Sequence, residues 1–299
     1  MRAAVDWRSV VLPRFKELHP LLWPVIVYDV LVADGSGSDL NLAQEAVLEL
    51  VRLGVRDSRE MSHLLHLDPG LIDIVVDAGV RFVTTSAGDP NRFTARLKDA
   101  GLTVFHVVPT LHAAHKAVEA GVDGLIVEGG EGGGFKNPRP VASMVLLPLI
   151  VSQIDLPVIA AGGFVDGPTM AAALALGAEG MQLGTRMVSA AESPVHDHWK
   201  QAILDAAETD TVVLNRHTSP ALRALRTATT DGYEFDGERN AMGELLNANA
   251  LYFGGDMEAS IALTGQVAGR IESVAPVRDI IHGTVREFRS RVAALSALL

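Results

Sequence analysis

The chain has 299 residues, 48% of them apolar, enough to bury one large core with or without an appendage. A net charge of −11 disfavours nucleic acid or an anionic membrane surface as a partner. With no cysteine, the chain has no disulfide, thiolate nucleophile, iron–sulfur cluster or cysteine zinc site. Met1-Arg2-Ala3-Ala4 has no long apolar stretch behind it, and the apolar segment 23–33 is short and carries Asp29. The expectation is a soluble cytoplasmic protein.

In chain order, residues 1–70 offer poor strand candidates at 8–12 and 24–32, the latter followed by the turn-forming run Asp34-Gly35-Ser36-Gly37-Ser38-Asp39. A helix over 42–53 and the capped helical pattern of 54–72 give a helix-turn-helix rhythm. Arg52, Arg56 and Arg59 are opposed there by Glu49 and Glu60, so packed helices are preferred to a DNA-reading module. From Leu71 the pattern becomes regular: helix 71–79, strand 81–88, helix 92–100, strand 103–108, helix 111–120, strand 124–127. Helix 141–153, strand 158–161, Ala-rich helix 168–176 and strand 180–183 follow. This alternation implies a parallel sheet whose strands all end on one face.

Beyond it, helix 199–208, an extended piece over 211–226, helical patterns over 240–253 and 258–273, and an amphipathic tail to Leu299 read as a helical cap. The fold expected is therefore α/β, a (β/α)8 TIM-barrel-like core over 71–195. An atypical, mostly helical segment precedes it (1–70) and a helical C-terminal subdomain (196–299) packs on its mouth. Residues 1–70 have barely enough length for the three missing βα units. If they leave the barrel incomplete, its exposed edges call for a partner chain, a homo-oligomer being the simplest.

Three strands end in glycines: Val127-Glu128-Gly129-Gly130-Glu131-Gly132-Gly133-Gly134-Phe135, Pro157-Val158-Ile159-Ala160-Ala161-Gly162-Gly163, and Gly180-Met181-Gln182-Leu183-Gly184-Thr185-Arg186. Barrel chemistry sits at the C-terminal strand ends, and glycines there let backbone N–H groups approach a phosphate. A phosphorylated cofactor and a small-molecule substrate are expected. The pairs His112/His115 and His196/His198 lack a third ligand and read as helix surface and helix cap, so no metal is expected. No Gly-x-Ser-x-Gly elbow is present to support a serine hydrolase.

These motifs, with Val83-Thr84-Thr85-Ser86-Ala87-Gly88, Asp166-Gly167, Ala191-Glu192-Ser193 and Gly265-Gln266, resemble the nitronate monooxygenase family and its relatives, the FMN-dependent enoyl-acyl-carrier-protein reductases. The resemblance covers residues 80–193 and, more loosely, continues to 276. It implies a flavin-binding barrel oxidoreductase, with the FMN phosphate on backbone around Ala161, Gly162 and Gly163 and around Gly184 and Thr185. Ser86, Ala87, Gly88, Glu128, Gly133, Gly134, Gln182 and Gln266 would line the rest of the flavin. The leading expectation is oxidation of a nitronate or nitroalkane with oxygen. The alternatives are an NAD(P)H-dependent FMN reductase of enoyl thioesters or quinones, and a catalytically silent binding protein.

The sequence departs from the family pattern in its first 70 residues and at Phe135. By the resemblance, nitronate monooxygenases place a histidine there that takes the substrate's α-proton and the reductases place one there that helps the acyl substrate react, and a phenyl ring in the substrate pocket exchanges no proton. Glu131 and His217 are then the candidate catalytic residues, with Glu128 also near in sequence.

Overall fold

The computed structural model describes residues 80–298. The strand, helix and helix-turn-helix expectations for residues 1–79 lie outside the described residues, as does closure of the barrel.

Five parallel strands form one sheet in sequence order: β1 (Phe82–Thr85), β2 (Thr103–Val108), β3 (Gly124–Glu128), β5 (Val158–Ala161) and β6 (Gly180–Gln182). The helices between them are α1 (Thr94–Asp99), α2 (Leu111–Glu119), α3 (Ser143–Val151) and α4 (Gly167–Ala175). The sheet is the parallel half of a TIM-like barrel, as the βα rhythm implies.

Strand alternation divides its two faces. Val104, Val108, Leu125, Val127, Val158 and Ala160 pack outward against the helices, with Leu97, Ala117, Leu147 and Ile150. Phe105, Ile126 and Ala161 form a separate inward cluster with Val107 and Ile159. The outward face is the larger core. At about 25 cal/mol per Å² of apolar area, it dominates the stability of this half-barrel.

Short elements need specific locks. Helix α4 opens on a capping box in which the Asp166 carboxylate accepts from Thr169 N (2.9 Å) and the Thr169 hydroxyl accepts from Asp166 N (3.0 Å). Helix α3 has no capping side chain of its own at Ala142. Its first N–H instead donates to the Glu131 carboxylate from another loop, at 3.0 Å.

In the C-terminal third, read as a helical cap with one extended piece, the extended piece is paired into a sheet. Its extended piece folds as two strands, β7 (Thr211–Leu214) and β8 (Ala221–Leu225). These join β4 (Gly134–Lys136) in an antiparallel sheet of order β4-β8-β7. Part of the glycine-rich turn is therefore a strand. The expected helix over 258–273 is also corrected: only a short 3₁₀ turn, Gln266–Arg270, forms there. Tight approach explains this, because a Cβ on Gly265 would lie 2.8 Å from Glu131 O and one on Gly269 2.4 Å from Glu208 N.

The remaining helices are α5 (Thr185–Val188), α6 (Asp197–Asp205), α7 (Ala228–Glu234), α8 (Ala248–Tyr252) and α9 (Val277–Ser296). The amphipathic tail is α9, which packs Phe288 against Met170 and Ala171 of α4.

Candidate functional site

The register places the site. Glu128 of β3 pairs with Ala161 of β5, and Ala161 with Gln182 of β6. Directly opposed residues share a face, so these three form one layer on the inward face at the C-terminal rim. The next layer down contains Ile126 and Ile159.

The turn after β5 carries two successive left-handed glycines, Gly162 at φ 75° and Gly163 at φ 85°. Side-chain-bearing residues resist that conformation, so the turn is specified by its sequence. Ser143 at the start of α3 pins the turn, its hydroxyl lying 2.6 Å from Gly162 O and 3.0 Å from Glu131 Oε2 with one proton to share between them. Beside it, after β6, a Cβ on Gly184 would meet no atom within 4 Å. Two adjacent glycine turns with open space at one of them fit the phosphate end of FMN, where exposed backbone N–H groups receive an anion.

The C-terminal segment closes over these turns. Gly265 N donates to Thr185 Oγ1 at 2.9 Å, Gln266 N to Glu131 O at 2.9 Å, and Trp199 Nε1 to Thr264 Oγ1 at 3.0 Å. A Cβ on Gly133 would stand 2.6 Å from the Thr264 carbonyl carbon. Gly133 thus lets the C-terminal segment lie on the glycine-rich turn, and the Thr185 hydroxyl anchors that segment. Gln266 stays exposed beside them.

Sequence order alone did not reveal how residues 135 and 136 divide. On β4, Phe135 opposes Leu222 and packs, half-buried, against the C-terminal cluster that contains Leu214, Leu222 and Tyr233. Lys136 takes the opposite face. Its Nζ lies 2.6 Å from Glu128 Oε1, with the lysine side chain 3% exposed and the glutamate 24%. At that distance the two groups form a buried ion pair.

Burial pushes the Lys136 ammonium below the usual lysine range, and the Glu128 charge opposes that shift. Gly132 leaves room for the pair, since a Cβ there would lie 2.5 Å from Glu128 Oε1 and 2.8 Å from Lys136 Nζ. Arg223 of β8, on the same sheet face as Lys136, is buried too. Its Nε donates to Gly130 O at 2.8 Å and its Nη1 to Thr211 Oγ1 at 3.0 Å. Its guanidinium is lowered first by burial, with Glu131 opposing.

Of the candidate residues, the fold gathers Glu128, Ala161, Gly162, Gly163, Gln182, Gly184 and Thr185 at neighbouring strand ends. Gly134 begins β4, and Ser86 and Gly88 lie at the rim beyond β1, two strands from Glu128. Glu131 spends its carboxylate on the α3 N-terminus and Ser143. His217 is exposed on the β7–β8 turn, beyond Lys136 at the far end of that sheet from the glycine-rich turn, with Asp236 as a charged neighbour.

Lys136, Arg223 and Ser143 were missed in the sequence. Strand alternation after Phe135 was the available signal for Lys136. His196 is an N-cap, accepting from His198 N at 3.1 Å. Among the described residues no group of three His, Asp or Glu side chains is placed to hold a metal ion. No described helix is long and apolar enough to cross a membrane.

Comparison with known proteins sets this geometry in context. The (3aS,4S,5R,7aS)-5-hydroxy-7a-methyl-1-oxo-octahydro-1H-indene-4-carboxyl-CoA dehydrogenase of Rhodococcus jostii (strain RHA1) is 30% identical over 273 residues, covering 77% of each chain. A probable nitronate monooxygenase of Staphylococcus saprophyticus is 34% identical over 164 residues, 52% of this chain and 46% of that one. The structure of FabK from Thermotoga maritima superposes with a TM-score of 0.73 at 31% identity, covering 82% of this chain and 86% of that one. The sequence profile of the nitronate monooxygenase family matches residues 38–287, so the chain belongs to that family of oxidoreductase enzymes.

Proposed function

We propose that the protein is an FMN-dependent oxidoreductase acting on the Cα–Cβ bond of an acyl thioester. The carrying observation is Phe135, half-buried against the C-terminal core at the place where both nitronate monooxygenases and the reductases carry a histidine; oxidation of a nitronate needs a group there to take the α-proton, whereas reduction by nicotinamide does not. One match supports a thioester substrate: the relative named as a carboxyl-CoA dehydrogenase is 30% identical and aligns over 77% of its length.

Backbone at Gly162, Gly163 and Gly184 would hold the FMN phosphate, and Gln182 and Glu128 stand on the inward layer beside it. Bound flavin supplies hydride exchange with a carbon substrate. The chain's own contribution is to fix the two turns through Ser143 and Thr185 and to cover them with residues 264–266.

The test is anaerobic spectroscopy of the FMN-loaded protein. A saturated acyl-CoA should bleach the flavin bands, or an enoyl-CoA should restore them after reduction by NADPH or NADH, while nitroethane and its nitronate leave them unchanged. Bleaching by the nitronate alone would instead support the oxygen-dependent reading. Failure to retain FMN in a folded protein would rule out both.

A further inference from the structure

Resting on the thioester reading, we propose that Glu128 exchanges the substrate's α-proton and that Lys136 is the residue that positions its carboxylate. Glu128 is the carboxylate of the inward rim layer, level with Ala161 and Gln182. Its side chain is 24% exposed, whereas its partner Lys136 is sealed behind it at 3%. Lys136 pairs with Oε1, and among the described residues Oε2 receives no hydrogen bond, so the carboxylate has one paired and one unpaired oxygen. The other nearby charges are committed elsewhere: Arg223 to Gly130 O and Thr211, and Glu131 to the start of α3.

Nothing but the lysine's attachment to β4 and the space at Gly132 is needed to build the pair. A lysine sealed in protein with a single carboxylate partner is expensive to maintain unless the carboxylate's position matters. In the step assigned to it, the Cα–H bond breaks and the proton passes to Glu128 Oε2. The electron pair stays on the substrate as the thioester enolate. In the reverse direction the same oxygen returns the proton to Cα.

The experiment follows loss of the α-proton NMR signal of butyryl-CoA in D₂O with the FMN-loaded, anaerobic protein, alongside the flavin spectrum. Exchange with wild type should fall by about 10²-fold or more in Glu128→Gln. Lys136→Met should reduce it, Lys136→Arg should restore part of it, and kcat should fall while KM for the thioester holds. A Glu128→Gln/Lys136→Met double variant, which leaves no unpaired buried charge, should fold, retain FMN and show the same loss. Wild-type exchange rates in a flavin-bound Glu128→Gln or double variant would overturn the proposal while leaving the thioester reading intact. A wild-type protein that retains FMN but neither bleaches nor exchanges with any acyl or enoyl thioester would overturn the thioester reading itself, and the proton assignment with it.

Discussion

Position 135 shows how much one strand register decides. With Phe135 packed among Leu214, Leu222 and Tyr233, replacement by histidine puts an imidazole into an apolar cluster. We predict a loss of about 1–3 kcal/mol in urea unfolding and no gain of nitronate oxidation. Gain of that activity in a stable variant would show that the ring has access to the site.

A second prediction concerns His106, buried on β2 with its Nδ1 2.8 Å from Thr85 Oγ1. Burial lowers its pKa from 6.5 to about 4, Asp89 opposing. The folded state therefore prefers neutral imidazole. Its contribution, about 3 kcal/mol, is complete above pH 6.5 and declines as pH falls toward 4. The urea midpoint should drop over that window, and His106→Asn should flatten this component; an unchanged slope would contradict the assignment.

At this scale the sequence exposed the glycine turns, because their chemistry is local. It did not expose the buried roles of Lys136 and Arg223, which depend on β4 meeting β8. Nor did it show Glu131 serving as the cap of a helix twelve residues away.

The elements that were legible are those with long, regular signals. All five parallel strands and helices α1 to α4 fall where apolar runs and glycine stops place them. The antiparallel sheet was hidden for physical reasons. β4 is three residues long and starts with glycine, and Ala221-Leu222-Arg223-Ala224-Leu225 contains good helix formers held as a strand by its two neighbours. Within the expected helix of 258–273, the small residues of 263–269 instead permit irregular backbone to touch Glu131, Gly133 and Glu208.

The same close packing joins α4 to α9. A Cβ on Gly167 would sit 2.2 Å from Phe288 N, and Gly167 N donates to Glu287 Oε2 at 3.1 Å. Gly167→Ala should therefore displace α9 and cost about 1–3 kcal/mol, seen as a lower Tm and faster hydrogen exchange in 277–296. Unchanged protection of α9 would contradict this contact.

Across the described molecule, the half-barrel carries the glycine turns and the C-terminal sheet packs beside them. One face of that sheet takes Phe135 into a core, while the other sends Lys136 and Arg223 beneath the glycine-rich turn. Family membership fixes the class of chemistry as that of an oxidoreductase.

The most direct measurement is the absorbance spectrum of the purified, FMN-loaded protein during anaerobic titration, first with acyl-CoA and then, on a separate sample, with nitronate. Retained flavin bleached by the thioester and unchanged by the nitronate is the predicted result. Bleaching by the nitronate without response to any acyl or enoyl thioester would contradict the central claim.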